Sequence, residues 1–424
     1  MMGWSPYTET VEYQNAVVIA NRLNGGWIRV SREVFHALDC LVRAEEADRV
    51  EFEDKEDERY VSSLVEYLEK NDYLNGEGSR KPRNKTISIE LTHRCNLKCV
   101  HCCIDADNSR RAEELSENEM KQVLDKCAAW NPKSIMLSGG EPLLRKDFGE
   151  LLVYLRKIYQ GRIIVSTNGT LLDKETAKRL AENADQVDIS LGGVDEETTT
   201  QVRGSGVFGK VIRAIENLQG AGFSKITLSA AFGDKNEHLQ KPFEQLCERL
   251  QVRPLIRKFS AVGRGEQSQE MFSEKTDRES YVPESFKNGE KQKPFGVCSC
   301  SAGTRELFIR YDGMVFPCPS FLSPEYAIGN VRDAESLEEL VSRSGFQSQE
   351  HLMRKLDAFE KDRCRNCKVR LFCWTCPGEA EEIKTREAFD DRCRQVRKIF
   401  YQRVWGDKEN ELYDMDDNGL QPAV

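Results

Sequence analysis

The chain has 424 residues, 39% of them hydrophobic and 31% charged, which is enough for two or three domains with substantial cores. Its formal net charge of -9 argues against non-specific nucleic-acid binding, because such binding needs a basic surface that displaces counterions from phosphates. No apolar run reaches the length of a membrane span, and the first residues lack the basic-then-apolar order of a signal peptide. We therefore expect a cytoplasmic protein without a nucleic-acid or membrane partner.

The first predicted domain covers residues 1–75 and contains three strands followed by two helices. A hairpin turn is predicted at Asn24, and Ser31 is placed to cap the first helix. This order favours a small winged-helix fold, and the acidic composition of its helical part argues against DNA as a ligand. A polar linker that contains Gly and Pro is predicted over residues 76–85.

The middle region, residues 86–262, alternates predicted strands and helices. Six segments rich in apolar and β-branched residues predict strands, and amphipathic segments lie between them. The first of these helices begins with a capping box formed by Ser116 and Glu119. Strands joined by helices in this way form a parallel sheet with right-handed crossovers. A doubly wound sheet and a partial barrel both fit this order, and the pattern alone does not choose between them.

The clustering of the cysteines indicates metal chemistry. The chain has 15 cysteines, and in a cytoplasmic protein clustered cysteines are more often metal ligands than disulfides. Cys95, Cys99 and Cys102 follow the first strand of the middle region, and three thiolates from one loop can hold a four-iron cluster with one iron left open. The alternative is a zinc knuckle, whose fourth ligand would be one of three neighbours, His93, His101 or Cys103.

Three glycine-rich or polar segments end the next three predicted strands. They are SGGEP at 138–142, STNG at 166–169 and SLGG at 190–193. Each alone would be ordinary turn chemistry. Because the carboxyl ends of parallel strands lie at one edge of the sheet, where such folds bind ligands, the three together predict a binding site beside the cysteine loop.

The last part of the chain is short-stranded and rich in cysteine. Residues 263–294 are polar and predict a mobile connection, residues 295–400 form the cysteine-rich region with a hairpin at Asp312, and residues 401–424 form a tail. The region contains eight cysteines: Cys298, Cys300, Cys318, Cys364, Cys367, Cys373, Cys376 and Cys393. Their spacing fits a zinc ribbon, and their number fits two fully ligated four-iron clusters.

The cysteine loop, followed by GGEP, STNG and SL-G, resembles the radical S-adenosylmethionine (radical SAM) superfamily. The resemblance implies an α/β fold with a partial (β/α)6 TIM-like barrel. It also implies that S-adenosylmethionine chelates the open iron through its amino and carboxylate groups. Electron transfer from the reduced cluster would then yield methionine and a 5′-deoxyadenosyl radical that abstracts a substrate hydrogen.

The same resemblance implies contacts to S-adenosylmethionine. Gly140 and Glu141 would contact the methionine amino group, and Arg203 could pair with the carboxylate. Two serines and an asparagine would lie along the ribose and carboxylate: Ser166, Asn168 and Ser190. The family's usual SLDG reads SLGG here, so Gly192 cannot make any contact that the aspartate makes.

The C-terminal cysteines resemble the SPASM extension of radical SAM enzymes, which holds auxiliary iron–sulfur clusters. The resemblance implies that the outer cluster is held by Cys364, Cys367, Cys373 and Cys393. It implies that the cluster nearer the active site is held by Cys300, Cys318 and Cys376. Cys298 is the candidate eighth ligand, with an open iron as the alternative. We therefore expect three [4Fe-4S] clusters and S-adenosylmethionine.

With a small domain in front, this architecture is similar to that of peptide maturases, including the subtilosin-type group. It implies a ribosomal precursor peptide as substrate, its leader bound by the N-terminal domain at a sheet edge. A thioether cross-link is the expected product, with the second electron passing to the nearer auxiliary cluster and an external donor such as flavodoxin or ferredoxin. The alternatives are a carbon–carbon cross-link, a sulfatase-maturase-like protein dehydrogenase, and a zinc-stabilised binding protein without redox chemistry.

Overall fold

The computed structural model describes residues 3–43, 52, 54–75, 85–109, 111, 113–260, 262–273, 295–343, 364–373, 376, 378 and 386–406. Most of the predicted linker and most of the predicted tail lie outside these residues. The chain forms two compact units. The parallel-sheet unit consists of residues 82–278 and 302–348, and the terminal unit consists of residues 1–81, 279–301 and 349–424.

The elements are numbered in chain order. The strands are β1 (Gly3–Trp4), β2 (Thr8–Tyr13), β3 (Ala16–Asn21), β4 (Trp27–Ser31), β5 (Leu74–Asn75), β6 (Thr86–Glu90), β7 (Ser134–Ser138), β8 (Arg162–Thr167), β9 (Gln186–Ser190), β10 (Ile226–Phe232), β11 (Arg253–Lys258), β12 (Glu306–Ile309), β13 (Met314–Phe316) and β14 (Gly329–Asn330). The α-helices are α1 (Arg32–Arg43), α2 (Lys55–Lys70), α3 (Glu117–Ala129), α4 (Phe148–Ile158), α5 (Lys174–Asn183), α6 (Glu196–Arg203), α7 (Val207–Gly220), α8 (Gln240–Arg249), α9 (Leu337–Arg343) and α10 (Arg386–Trp405).

The sheet of the parallel-sheet unit has the strand order β11-β10-β9-β8-β7-β6-β12-β13-β14. Strands β6 to β11 are parallel, each lies beside its predecessor in the chain, and β12 adds to β6 in parallel. A doubly wound sheet reverses its strand order near its middle, whereas the six strands β6 to β11 run in unbroken sequential order and β12 joins only at the β6 edge, which argues against that alternative. Closure of the six strands into a partial barrel stays a prediction.

Side chains alternate along each strand, so one face of this sheet packs on the helices and the other, here called the polar face, carries most of the polar side chains of the strands. Ile87 and Ile89 of β6 are buried in a core that also includes residues of α3, α4, α5 and α7. The residues between and after them, Ser88 and Glu90, therefore belong to the opposite face. That face carries a serine at or near the carboxyl ends of β7, β8 and β9: Ser138, Ser166 and Ser190.

Local signals in the sequence form as predicted. Ser116 Oγ accepts a hydrogen bond from the Glu119 N–H, and Glu119 Oε2 accepts one from the Ser116 N–H at 2.9 Å, which confirms the capping box of α3. The hairpin between β12 and β13 turns at Asp312-Gly313, where Gly313 has a φ of 87° that favours glycine.

In the terminal unit, β2, β3 and β4 form an antiparallel sheet with one helical layer on each face. One face packs on α1 and α2 through a core that contains Val17, Ile19, Val30, Leu38 and Leu68. The other face packs on residues 369–372 and on α10, through a core that includes Val11, Val18, Ala20, Phe372, Val396 and Phe400.

The predicted order of three strands and two helices is therefore present, and the Ser31 hydroxyl accepts the Val34 N–H at 3.2 Å, at the start of α1. The winged-helix assignment stays a prediction. Among the described helices, each is too short or too polar to cross a bilayer.

Candidate cofactor and cluster site

The loop that follows β6 is held against the carboxyl end of β7 by backbone hydrogen bonds. The Gly140 N–H donates to Thr92 O at 2.8 Å, and the Glu141 N–H donates to Arg94 O at 2.7 Å. A Cβ at Gly139 would lie 2.4 Å from Thr92 O, and one at Gly140 would lie 2.3 Å from Arg94 O. Glycine is thus required at both positions because the backbone that leads to Cys95 passes directly over them.

Cys95, Cys99 and Cys102, the cluster triad, lie on this loop. Cys95 and Cys99 are buried and Cys102 is half-buried, so the triad is largely shielded from solvent. One N–H group lies near each sulfur: Leu97 N at 3.4 Å from Cys95 Sγ, Arg203 Nη1 at 3.5 Å from Cys99 Sγ, and Ala106 N at 3.3 Å from Cys102 Sγ. Donors aimed at sulfur are the environment in which cluster thiolates are stabilised.

The zinc-knuckle alternative is not favoured by this geometry. His93 Nδ1 is 2.8 Å from Glu90 Oε1, His101 Nε2 is 3.4 Å from Arg203 Nη2, and Cys103 is exposed. In the described part of the chain, no three His, Cys, Asp or Glu side chains converge on one point. A single zinc ion needs all its ligands within about 2.3 Å of that point, whereas the cysteines of a four-iron cluster bind different irons and stand further apart. The thiol set fits a cluster better.

Glu141 is completely buried and ties two motifs together. Its Oε1 accepts from the Leu143 N–H at 3.1 Å and from Thr167 Oγ1 at 2.7 Å, and its Oε2 accepts from the Asn168 N–H at 2.7 Å. Burial raises the pKa of Glu141, although these three hydrogen bonds favour its charged form. The carboxylate therefore fixes the STNG segment relative to the GGEP segment.

Of the other predicted cofactor residues, Asn168 and Arg203 lie beside triad sulfurs, and Ser166 and Ser190 lie on the neighbouring strands β8 and β9. Asn168 Nδ2 donates to Asn96 Oδ1 at 2.9 Å and lies 3.8 Å from Cys95 Sγ. Ser166 and Ser190 are half-buried on the polar face, and Ser190 Oγ is 3.4 Å from the hydroxyl of Ser229 on β10.

Arg203 closes the site from the end of α6. Its guanidinium lies between Cys99 and His101, and burial together with this positive charge lowers the pKa of His101 to about 3. The SLGG departure has a steric cause: a Cβ at Gly192 would lie 2.8 Å from Val202 Cβ and 3.1 Å from Arg203 Cγ. The end of α6 occupies the space that an aspartate at this position would need.

The sequence analysis missed two residues near the triad, Glu90 and Arg264. Glu90 is 2% exposed on the polar face, and the ring of its partner His93 lies 5.1 Å from that of Tyr311. The available signal was a carboxylate that ends an otherwise uncharged strand. The second group is Arg264, in the polar stretch that we expected to be a mobile connection. Its start, residues 263–273, instead packs on the cluster loop, and residues 274–294 lie outside the described part.

Comparisons with known proteins agree with this site. Residues 89–246 match the model of the Radical SAM superfamily, and residues 298–368 match that of the SPASM iron-sulfur cluster-binding domain. The chain is 31% identical over 282 residues to "Mycofactocin maturase MftC" of Mycolicibacterium smegmatis, which covers 62% of this chain and 69% of that protein. It is 30% identical over 331 residues to "AdoMet-dependent heme synthase" of Methanosarcina barkeri, which covers 70% of this chain and 92% of that protein.

This chain belongs to the radical SAM superfamily. Among solved structures, it resembles Streptococcus suis SuiB bound to the precursor peptide SuiA, with a TM-score of 0.51 and 15% identity over 88% of this chain and 94% of that one. At this identity the likeness shows the radical SAM fold and no more.

Among the SPASM cysteines of this radical SAM chain, Cys373 and Cys298 have surroundings that the structure describes. Burial raises the pKa of Cys373 well above its ordinary value, and three neighbouring thiols, Cys367, Cys393 and Cys364, raise it further. These three thiols lie near enough to Cys373 to disfavour its thiolate, and their shared role as ligands of the outer cluster stays a prediction. Cys298 is buried, and its N–H donates to Leu371 O at 2.7 Å. Cys300 and Cys376 belong to the terminal unit and Cys318 follows β13 in the parallel-sheet unit, so the nearer cluster stays a prediction.

Proposed function

We propose that this chain is a radical SAM maturase that cross-links a ribosomally made precursor peptide, most readily by a thioether between a cysteine sulfur and a carbon. The observation that carries the peptide substrate is the outward edge of β4 in the terminal unit. The radical chemistry rests on the family membership and on the cluster triad with its three N–H donors.

In this proposal the triad holds a four-iron cluster, and S-adenosylmethionine occupies its open iron. Together, when bound, they supply one-electron chemistry that removes a hydrogen atom from an unactivated carbon. Gly140 presents a backbone without a side chain to the methionine amino group. Glu141 holds the surrounding loops and adds a negative charge near that amino group. Burial of Cys95 and Cys99 would keep water from these two thiolates.

The remaining cofactor residues have different tasks. Ser166 and Ser190 offer hydroxyls on the polar face for the ribose and carboxylate, and Asn168 braces the loop at Cys95. Arg203 brings a positive charge that can serve the cofactor carboxylate as well as Cys99.

We further assign two auxiliary clusters, which makes three [4Fe-4S] clusters in all. The outer one uses Cys364, Cys367, Cys373 and Cys393. The nearer one uses Cys300, Cys318 and Cys376, with Cys298 as the candidate fourth ligand. Flavodoxin or ferredoxin is the proposed external electron donor.

The phase of the β3–β4 ladder supports a peptide at the β4 edge. The bonds from Asn21 N to Gly26 O and from Arg32 N to Asn15 O place the hydrogen-bonded pairs at even-numbered residues of β4. Trp27 and Arg29 therefore point their backbone groups outward, and within the described residues no backbone partner meets them. An extended leader can satisfy these groups as an added strand.

Residues 295–297 already occupy the start of this edge. The Val297 N–H donates to the backbone oxygen of Gly25 at 2.9 Å, and the Trp27 side chain donates through Nε1 to Phe295 O at 2.9 Å. The site for a leader is therefore narrower than the whole strand and centres on Arg29, whose side chain donates to Val404 O at 2.7 Å.

The edge is tested by Arg29→Pro with Arg29→Ala as its matched control. Both variants lose the bond to Val404, but only proline removes the outward N–H, and it leaves the ladder to β3 intact. One lost hydrogen bond should weaken leader binding about 2- to 10-fold in the proline variant alone. The measurement is fluorescence anisotropy of a labelled precursor encoded beside the gene. Equal affinities of the two variants would contradict docking at β4.

Deletion of residues 1–75 is a poorer test of leader binding, because it would uncover the apolar residues of α10 that pack on the small sheet.

The reaction is tested by incubating the reconstituted enzyme, precursor, S-adenosylmethionine and reduced flavodoxin, followed by mass spectrometry. A thioether predicts the loss of two hydrogens together with one alkylatable thiol. The same mass loss with all thiols intact would indicate a carbon–carbon bond, and a colourless zinc protein would indicate the binding-protein alternative.

A porphyrin substrate is the second candidate function, since the relative named a heme synthase spans 70% of this chain. It predicts a shift of the porphyrin absorption bands with S-adenosylmethionine and reductant, and no effect of Arg29→Pro. A dehydrogenase that acts on a folded protein likewise predicts no effect of this variant, and it leaves the porphyrin bands unchanged.

A further inference from the structure

The segment Gly263–Met271, here called the strap, follows β11 and lies against the cluster loop. Its second residue, Arg264, makes four contacts there: its N–H donates to Cys102 O at 2.9 Å, Nη1 donates to Cys99 O at 3.0 Å, Nη2 donates to Ala106 O at 2.6 Å, and Nη2 pairs with Asp105 Oδ1 at 2.8 Å. The side chain of Arg264 is 18% exposed.

These contacts add to long hydrogen bonds within the loop itself. The Cys102 N–H donates to Cys99 O and the Asp105 N–H donates to Cys102 O, both at 3.3 Å. A guanidinium with five N–H donors can serve several such carbonyl oxygens at once. Asp105 has a φ of 51°, an unfavourable region that persists only where surrounding contacts enforce it. The ion pair with Arg264 is one such contact.

Gly263 allows the close approach. It has a φ of 57°, and a Cβ there would lie 2.5 Å from Cys103 O and 2.7 Å from Cys102 O. Any side chain at this position would push the strap away from the loop or distort the backbone at Cys102.

We propose that Gly263 and Arg264 form a clamp that holds the loop of the cluster triad in its metal-binding conformation. Arg264 is a positioning residue: it acts through the carbonyls of Cys99, Cys102 and Ala106 and not on a reacting atom. The inference rests on the proposed role of the triad as cluster ligands. The clamp should act selectively on the triad cluster. Within the described part of the chain, the hydrogen bonds and the ion pair of Arg264 reach the triad loop and none of the cysteines assigned to the auxiliary clusters.

The test uses the full-length holoenzyme and measures iron, not activity. The variant in which the whole triad is replaced by alanine first defines how much iron depends on these cysteines. Arg264→Gln should lose that same fraction to a ferrous chelator about 10- to 100-fold faster than the parent, a usual cost of removing a residue that supports metal ligands. Arg264→Lys keeps the positive charge but not the forked guanidinium, so its rate of iron release should lie between those of the parent and of Arg264→Gln.

Arg156→Gln is the matched control. Arg156 also binds backbone carbonyls and a carboxylate, namely Asn183 O, Tyr159 O, Gly161 O and Asp185, but far along the chain from the triad loop. It should lower thermal stability as Arg264→Gln does while its iron release stays at the parent rate.

Gly263→Ala tests the clamp without changing the arginine. Its control is Gly222→Ala, which has a similar φ of 80° but nothing within 4 Å of the added Cβ. Fast release in Gly263→Ala and parent-like release in Gly222→Ala support the clamp. Parent-like release in both Arg264→Gln and Gly263→Ala, or equal loss of all iron in Arg264→Gln and Arg156→Gln, would overturn it. An unaltered iron content in the triad variant would instead refute the ligand assignment.

Discussion

Glu141→Gln separates the two tasks of this carboxylate, because glutamine can keep only part of its hydrogen bonding. A glutamine oxygen in place of Oε1 still accepts from Leu143 N–H and Thr167 Oγ1. The amide nitrogen in place of Oε2 then faces the Asn168 N–H, which sits 2.7 Å from that position. Two donors meet there, and the buried Asn168 N–H loses its partner.

The magnitude follows from this single loss. A buried unsatisfied donor costs about 1–3 kcal/mol, and we expect the free energy of unfolding to fall by that amount. The bonds from Leu143 N–H and Thr167 Oγ1 are weaker to an amide oxygen than to a carboxylate. The loss of stability from this weakening is offset because the variant no longer buries a charge. Burial raises the pKa of Glu141, so the charge costs stability above that pKa, and this cost disappears as the pH falls toward the ordinary value of 4.5. The parent should therefore gain stability over the variant as the pH is lowered.

The cofactor affinity should fall more than the iron content. Loss of a charged contact to the methionine amino group and a shifted Asn168 loop predict about a 10- to 100-fold weaker binding of S-adenosylmethionine. Calorimetry on the reconstituted enzyme measures it, and urea denaturation of the metal-free protein measures stability. Glu119→Gln is the control, since that carboxylate lies in the α3 capping box, and its cofactor affinity should match the parent. Unchanged affinity in Glu141→Gln would refute the assigned role.

Alanine at all three positions of the cluster triad should remove about a third of the iron and abolish 5′-deoxyadenosine formation; continued cofactor cleavage would mean that the catalytic cluster lies elsewhere. Arg203→Ala should weaken S-adenosylmethionine binding about 10- to 100-fold in calorimetry with unchanged iron content, as expected for removal of a charged partner. Gly140→Ala should prevent assembly of the triad cluster, seen as missing iron, because its Cβ would lie 2.3 Å from Arg94 O. Gly209→Ala, in open space within α7, should retain the cluster and raise the free energy of unfolding by about 0.5–1 kcal/mol.

The parallel sheet was predictable because its signals are local. Alternation of apolar residues, a capping box at Ser116 and a tight turn at Asp312 each depend on neighbours within a few positions of the chain. The order of the strands in the sheet could not be predicted in this way, because it depends on pairing between distant segments of the chain. Only the pairing of each strand with its predecessor in the structure decided between a doubly wound and a sequential arrangement.

The sequence indicated which residues belong to the site, but not which atoms they contact. The motifs indicated Glu141 and Arg203, but not that Glu141 accepts three hydrogen bonds from the protein or that Arg203 reaches Cys99. Arg264 escaped altogether, because its acceptors are backbone carbonyls about 160 residues earlier in the chain, which carry no side-chain signature. Gly192 was noted as a departure, and its cause, the approach of Val202, lies in the end of a helix that sequence places but does not orient.

The composition of the terminal unit has a consequence for biosynthesis. Its small sheet is translated before α10, which completes one apolar face of that sheet and begins more than 350 residues later in the chain. A nascent chain that has not yet reached residue 386 therefore exposes Val11, Val18 and Ala20 to solvent or to a holdase. Ribosome-bound chains that stop before α10 should be captured by chaperones and cleaved at the N-terminus, and those that include α10 should be protected. The synthesis of α10 would then decide when the small sheet becomes stable.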